Sequence, residues 1–229
     1  MKAIFFALAI FATTNSLFAQ VNFTTAPRQL QLYPRNLLTN KAQVPISGTV
    51  TTADNKEIKV EMYRNNVLAD TKTQALSGTA GETFSFVDEI VSEMASYKFV
   101  ISLKDVSNTY SVVGAADNVV AGDAIIIQGQ SNAVATMQSG SSSAYNNNYV
   151  RVYGFGNESF DANIVHQWYI AQGDGDENSA GNTGQWGLVL GDTIVKTTGR
   201  PIAIFNGGRG GQFIAYFQRN DLNKTDSVF

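Results

Sequence analysis

The 229-residue chain contains no cysteine and a single histidine, and only 15% of its residues are charged. Without cysteine there is no disulfide framework, so the folded chain must hold together by packing alone. The charges nearly cancel, to a formal −3, which argues against a non-specific nucleic-acid partner. Beyond the first residues no apolar stretch is long enough to cross a bilayer, so no membrane partner is expected once a leader is removed. What the chain does have is a 44% hydrophobic content, enough to bury a core, and a length that suits one large domain or two ordinary ones. Its 20 glycines and many Thr, Asn and Ser residues favour strands and turns over long helices.

The N-terminus, "MKAIFFALAIFATTNSLFAQ", places Lys2 before an apolar run from Ala3 to Ala12 that is too short to span a membrane. Leu17-Phe18-Ala19 then offers a small residue at a cut before Gln20. This reads as a bacterial Sec signal peptide over residues 1–19, and implies a secreted, periplasmic or cell-surface protein.

Residues 20–118 read as an all-β, sandwich-like accessory domain. Apolar residues alternate through Leu30–Tyr33, through Val44, Ile46 and Val50, and through Ile58, Val60 and Met62. The same period continues at Phe84 and Phe86 and at Phe99, Ile101 and Leu103. Period two puts each set on one buried face, and turn signals such as Asp54-Asn55 and Asn65-Asn66 separate the segments.

After Asn118 the pattern changes. "DAIIIQ" and "RPIAIFN" are unalternating apolar runs that each end in glycine, as parallel strands buried on both faces do. Trp186–Gly199 has helical spacing and stops at Gly199 before Pro201, and Tyr149–Phe155 reads as a further strand. The expectation for 119–229 is an α/β domain. Asp174 and Asp176 lie in a long polar loop, but no glutamate closes it as calcium binding would require.

The stretch "DAIIIQGQSN" ends a strand in a glycine turn that presents Ser131. A helix starting near Asn132 would aim N–H groups at an anion, which suits a nucleophilic serine and its oxyanion. The alternative is a serine that merely caps that helix. The sequence Gly122-Asp123, hydrophobic strand, Gly129-Gln130-Ser131-Asn132 resembles the first block of the SGNH hydrolases in their sialate O-acetylesterase-like branch. Ala133 stands where that branch usually has methionine. A second stretch, "RPIAIFNGGRGGQFIAYF", resembles a later block of the same family through Pro201, Ile202, Ile204, Asn206, Gly210, Gly211 and Ile214. The family's tryptophan, threonine and glutamate positions there hold Arg209, Gln212 and Ala215.

The resemblance implies a flavodoxin-like, SGNH-type three-layer α/β fold, incomplete over 119–229. It also implies Ser131 as nucleophile, the N–H groups of Ser131 and Gly211 as the oxyanion hole, and Gly129, Gln130, Asn132, Asn206 and Gly210 in support. The expected partner is an acetylated carbohydrate, and no metal or organic cofactor is required. Trp168, Tyr169 and Trp186 are candidate sugar contacts, with ordinary core packing as the alternative.

The family's Asp-x-x-His base is not found. The lone His166 lies between the two blocks, and Asn163 rather than Asp stands three residues before it. The expectation is therefore an N-terminal portion of a carbohydrate acetylesterase, inactive and marginally stable as 229 residues. The rival is a secreted glycan-binding or surface-scaffold protein with a degenerate SGNH domain.

Overall fold

The computed structural model describes residues 20–135, 143–154, 166–175 and 180–217. The expected signal peptide, Asn163 and Asp176 lie outside the described residues. The strands are β1 (Val21–Thr25), β2 (Leu32–Pro34), β3 (Lys41–Val50), β4 (Asn55–Arg64), β5 (Val67–Ala75), β6 (Glu82–Val91), β7 (Tyr97–Asp105), β8 (Tyr110–Ile127), β9 (Val150–Gly154), β10 (Gln167–Ile170) and β11 (Ile202–Asn206). Among the described residues two α-helices, α1 (Ser131–Val134) and α2 (Gln185–Thr198), complete the regular structure together with short 3₁₀ turns. Among the described residues no helix is long and apolar enough to cross a membrane.

Alternation does what the sequence predicts in the first half. Every second residue of β3, β4, β6 and β7 points inward, burying Val44, Ile46, Ile58, Val60, Phe84, Phe99, Ile101 and Leu103. Sheet β1-β3-β6 packs its inner face on the face of the larger sheet formed by β4, β7 and the start of β8, around one shared core. Each such side chain contributes about 1.5–3 kcal/mol by leaving water, which substitutes for the missing disulfides. One inward position breaks the pattern. Asp88, between Phe86 and Ile90 on β6, is only 1% exposed, and it pairs with Lys72 of β5 in the facing sheet.

The expected flavodoxin-like, three-layer α/β domain does not form among the described residues. β8 runs unbroken for 18 residues and carries the chain from the sandwich into the second half. As a result β9, β10 and β11 extend the same sheet, in the order β10-β9-β11-β8-β7-β4-β5, with β2 beside β8. Asn118, where the sequence changes character, is a kink inside this strand. Its φ is 56°, and the register against β7 jumps from Phe99–Ala116 to Tyr97–Val119, which is a β-bulge. Local parallel pairing is present, since β11 runs parallel to both β8 and β9. Among the described residues helical cover is not present on both faces. α2 packs Leu188 and Val195 against Ile127, Val150, Val152, Ile202 and Ile204 on one face only. The "DAIIIQ" run is accordingly not buried on both sides: Ile127 is 4% exposed and Ile126 is 75% exposed.

The face opposite α2 is covered in part by β2 and by the β1–β2 connection. Leu32, Val120 and Ala203 are buried there. Arg151, on the same face of β9 as Tyr153, is 2% exposed. It fixes the connection in place by donating from Nε to the Leu30 carbonyl at 3.1 Å and from Nη2 to the Asn118 carbonyl at 3.3 Å. Burial pushes this guanidinium down to about 10, still charged at neutral pH. Asp123, in the first motif block, is spent on a structural pair with Arg35, at 2.9 Å.

The predicted helix is present as α2, ending at Gly199 in the left-handed conformation. Its Asp192, 2% exposed, accepts from Asn147 Nδ2 at 2.9 Å and pairs with Lys196 at 2.6 Å. Burial by itself raises this carboxyl, but the bonds from Lys196 and Asn147 outweigh burial and hold it below its ordinary 3.8. A depressed folded pKa contributes stability that is complete above the unfolded value and is lost as pH falls through the folded one. Urea unfolding followed downward in pH should therefore show stability falling below about pH 4. Asp192→Asn should be less stable at neutral pH and flatter across that acid range.

Candidate active site

β8 and β11 lie side by side and parallel, with Ile127 opposite Asn206. The turns that follow them leave the sheet at the same edge and are bonded to each other. Gly207 N–H donates to the Ile127 carbonyl and Arg209 N–H to the Gly129 carbonyl, both at 2.8 Å. Asn206 ties in a third segment, since its Nδ2 donates to the carbonyls of Ala133 and Thr183 at 2.9 Å, with Val134 at 3.4 Å. Its Oδ1 accepts from Gly208 N–H at 2.9 Å. Gly208 must be glycine because a Cβ there would lie 2.7 Å from the Val134 nitrogen. The two motif blocks, distant in sequence, thus form one hydrogen-bonded edge. Asn206→Ala should cost about 1–3 kcal/mol in urea unfolding, because it leaves buried carbonyls without donors; a loss below about 0.5 kcal/mol would show that the amide does not hold this edge.

Ser131 is exposed as the first residue of α1. The cap position belongs to Gln130, and no side chain caps the helix. Among the described residues neither the Ser131 hydroxyl nor the N–H of Ser131 or Gly211 has a hydrogen-bond partner. Gly211 is exposed with φ 73°, a left-handed conformation that L side chains adopt only with strain, although the space beside it is open. The expected helix dipole is a different matter. α1 is a single turn that goes left-handed at Ala135, φ 47°, so it gathers no useful macrodipole. Any anion here would be held by individual N–H groups.

A cleft of about 570 Å³ adjoins the turn. Gln128, Gly129 and Gln130 form one wall, and Gln212, Phe213, Ile214 and Phe217 form the other. Gln128 Nε2 closes the base by donating to the Phe217 carbonyl at 3.1 Å. Sequence reasoning named Ile214 as part of the second block but not Phe213 or the cleft wall the two form, where both are over 70% exposed. Large apolar residues just after the Gly210-Gly211 pair are the signal that could have marked it.

The three candidate aromatics separate. Trp186 is 43% exposed at the start of α2 and donates from Nε1 to the Asn132 carbonyl at 3.1 Å, so it flanks Ser131. Tyr169 packs on the α2 side against the second core. Trp168 faces the opposite side, with ring centroids 5.3 Å from Tyr153 and 6.0 Å from Phe205.

His166, just before β10, is exposed, with its ring 5.9 Å from that of Tyr153 on β9. β10 is three positions from β8 in the sheet. Three spacings of about 4.8 Å put it roughly 14 Å away across the strands, well beyond direct proton transfer to Ser131. Asp174 accepts from Gln185 Nε2 at 3.2 Å, and no cluster of three or more potential metal ligands occurs among the described residues.

No known protein family and no curated protein matches the chain. Among solved structures it is similar to a carbohydrate acetylesterase from Xanthomonas citri, with a TM-score of 0.47 and 16% identity over 85% of this chain and 41% of that one. The chain therefore spans less than half the length of that enzyme. Fibronectin(III)-like modules of Clostridium thermocellum CbhA match 44% of this chain and 96% of theirs, with a TM-score of 0.27 and 12% identity. A CARDB domain from Pyrococcus furiosus, in complex with di-metal ions, matches 45% of this chain and 97% of its own, with a TM-score of 0.28 and 18% identity.

Proposed function

We propose that the protein is an exported, serine-dependent carbohydrate O-acetylesterase of the SGNH kind, similar in its motifs to the sialate O-acetylesterases. The observation that carries this reading is the bonded edge itself. The Arg209 N–H on the Gly129 carbonyl brings the glycine turn that presents Ser131 against the turn that contains Gly211. In this reading Ser131 Oγ attacks the acetyl carbonyl carbon and gives its proton to a base. The N–H groups of Ser131 and Gly211 stabilise the oxyanion, each contributing about 3 kcal/mol or on the order of 10²–10³ in rate. Collapse expels the sugar hydroxyl, which takes the proton back, and water then releases acetate from the acetyl-serine. The Phe213 and Ile214 wall favours a small apolar acyl group over a charged one. His166, roughly 14 Å away across the strands, is too far from Ser131 to be that base.

The test is acetate release from O-acetylated saccharides, sialate and xylan esters among them, by the full-length protein and its Ser131→Ala variant. Loss on substitution supports the reading; release from no acetylated saccharide overturns it. The position of His166 also favours a second reading, a glycan-binding protein that keeps the edge without the chemistry. It would bind such saccharides without hydrolysing them.

A further inference from the structure

A second cleft, of about 680 Å³, lies on the opposite face of the sheet from α2. One wall is the aromatic cluster of Tyr153, Trp168 and Phe205; the other is the end of β1, with Thr24 and Thr25, and the β1–β2 connection, with Arg28 and Gln31. The volume falls in the range of small-ligand sites. We infer that this cleft binds an acidic saccharide, with a sugar ring on Trp168 and its carboxylate on Arg28.

Three features support that class of ligand. First, Trp168 sits edge-to-face or tilted between Tyr153 and Phe205, so its orientation is fixed before any ligand arrives. The negative face of an aromatic ring attracts the positively polarised C–H face of a pyranose. Second, the charge in the cleft has one sign. Among the described residues Arg28 is the only charged one lining it, and no carboxylate there pairs with it. Its Nη1 instead donates weakly to Tyr153 OH, at 3.4 Å, which holds the guanidinium beside the aromatic wall. A planar guanidinium without an acidic partner suits a carboxylate, which it can grip with two parallel hydrogen bonds. Burial pushes the Tyr33 phenol in the same wall up to about 12 although Arg28 pulls it down, so no tyrosinate competes for Arg28 at neutral pH. Third, the wall is anchored. Arg151 fastens the connection to the sheet through the Leu30 carbonyl, and Gln31 Oε1 accepts from Arg28 N–H at 2.9 Å.

The site does not depend on Ser131, so it is tested by binding rather than by hydrolysis. In the full-length protein carrying Ser131→Ala, calorimetric titration with oligogalacturonate should show binding. The methyl ester of the same oligosaccharide, which keeps the rings and removes the charge, should bind roughly tenfold or more weakly. Arg28→Gln, at an exposed position, should remove that preference, and Trp168→Ala should weaken both ligands. Absence of binding overturns the inference, as does equal affinity for acid and ester. Binding that survives both substitutions does so too, since it places the saccharide elsewhere. If Trp168→Ala does not fold, the Arg28→Gln result decides alone.

Discussion

Ser131→Ala is expected to slow acetate release by the full-length protein at least about 10³-fold, since loss of a serine nucleophile leaves only the oxyanion donors and binding to act. The same variant should keep its stability. The Ser131 hydroxyl is exposed and has no hydrogen-bond partner among the described residues, and the helix-cap position belongs to Gln130. Had the serine been a cap, alanine would cost about 1 kcal/mol; here a change within about 0.5 kcal/mol is expected. The two readouts separate chemistry from folding. A loss of activity with an unchanged melting curve assigns the nucleophile. A tenfold or smaller loss sinks the assignment, and a large loss of both sends the serine back to a structural role.

The two motif blocks were legible because glycines at strand ends are local signals, and their meeting follows from parallel pairing of β8 and β11. The sandwich was legible for a similar reason: alternation at Ile58, Val60 and Met62 fixes a face without reference to the rest of the chain. What escaped the sequence was continuity. A run of apolar residues followed by glycine looks the same in a three-layer domain and at the end of a long antiparallel strand. Only the pairing of Tyr97 with Val119 across the Asn118 bulge shows that β8 is one strand. The second cleft escaped for a different reason. Arg28 and Tyr153 are 125 residues apart, and nothing local in either segment announces the other. Asp88 could have been found, because an aspartate in phase with Phe84, Phe86 and Ile90 is a carboxylate at a core position.

That carboxylate leads to the largest stability effect expected in the molecule. Lys72 reaches across the sandwich from β5 to Asp88 on β6, and also bonds Asp70 at 3.0 Å. Burial works against the lysine charge, but the bonds from Asp88 and Asp70 outweigh it and raise its pKa. A raised cationic pKa means that the lysine's contribution is intact at neutral pH and is lost only as pH climbs past the ordinary lysine range. The two ends of the pair are not equivalent: the Asp88 side chain is 2% exposed and that of Lys72 is 35%. Lys72→Met keeps the stem and strands a buried charge, which should cost about 3–5 kcal/mol in urea unfolding. Asp88→Leu should cost less, because the lysine can turn to water and to Asp70 while leucine continues the apolar face. The double variant should recover most of the loss, giving a large coupling in the cycle. A Lys72→Met loss under about 1 kcal/mol would mean that water reaches Asp88 and that the two sheets are not joined by this pair.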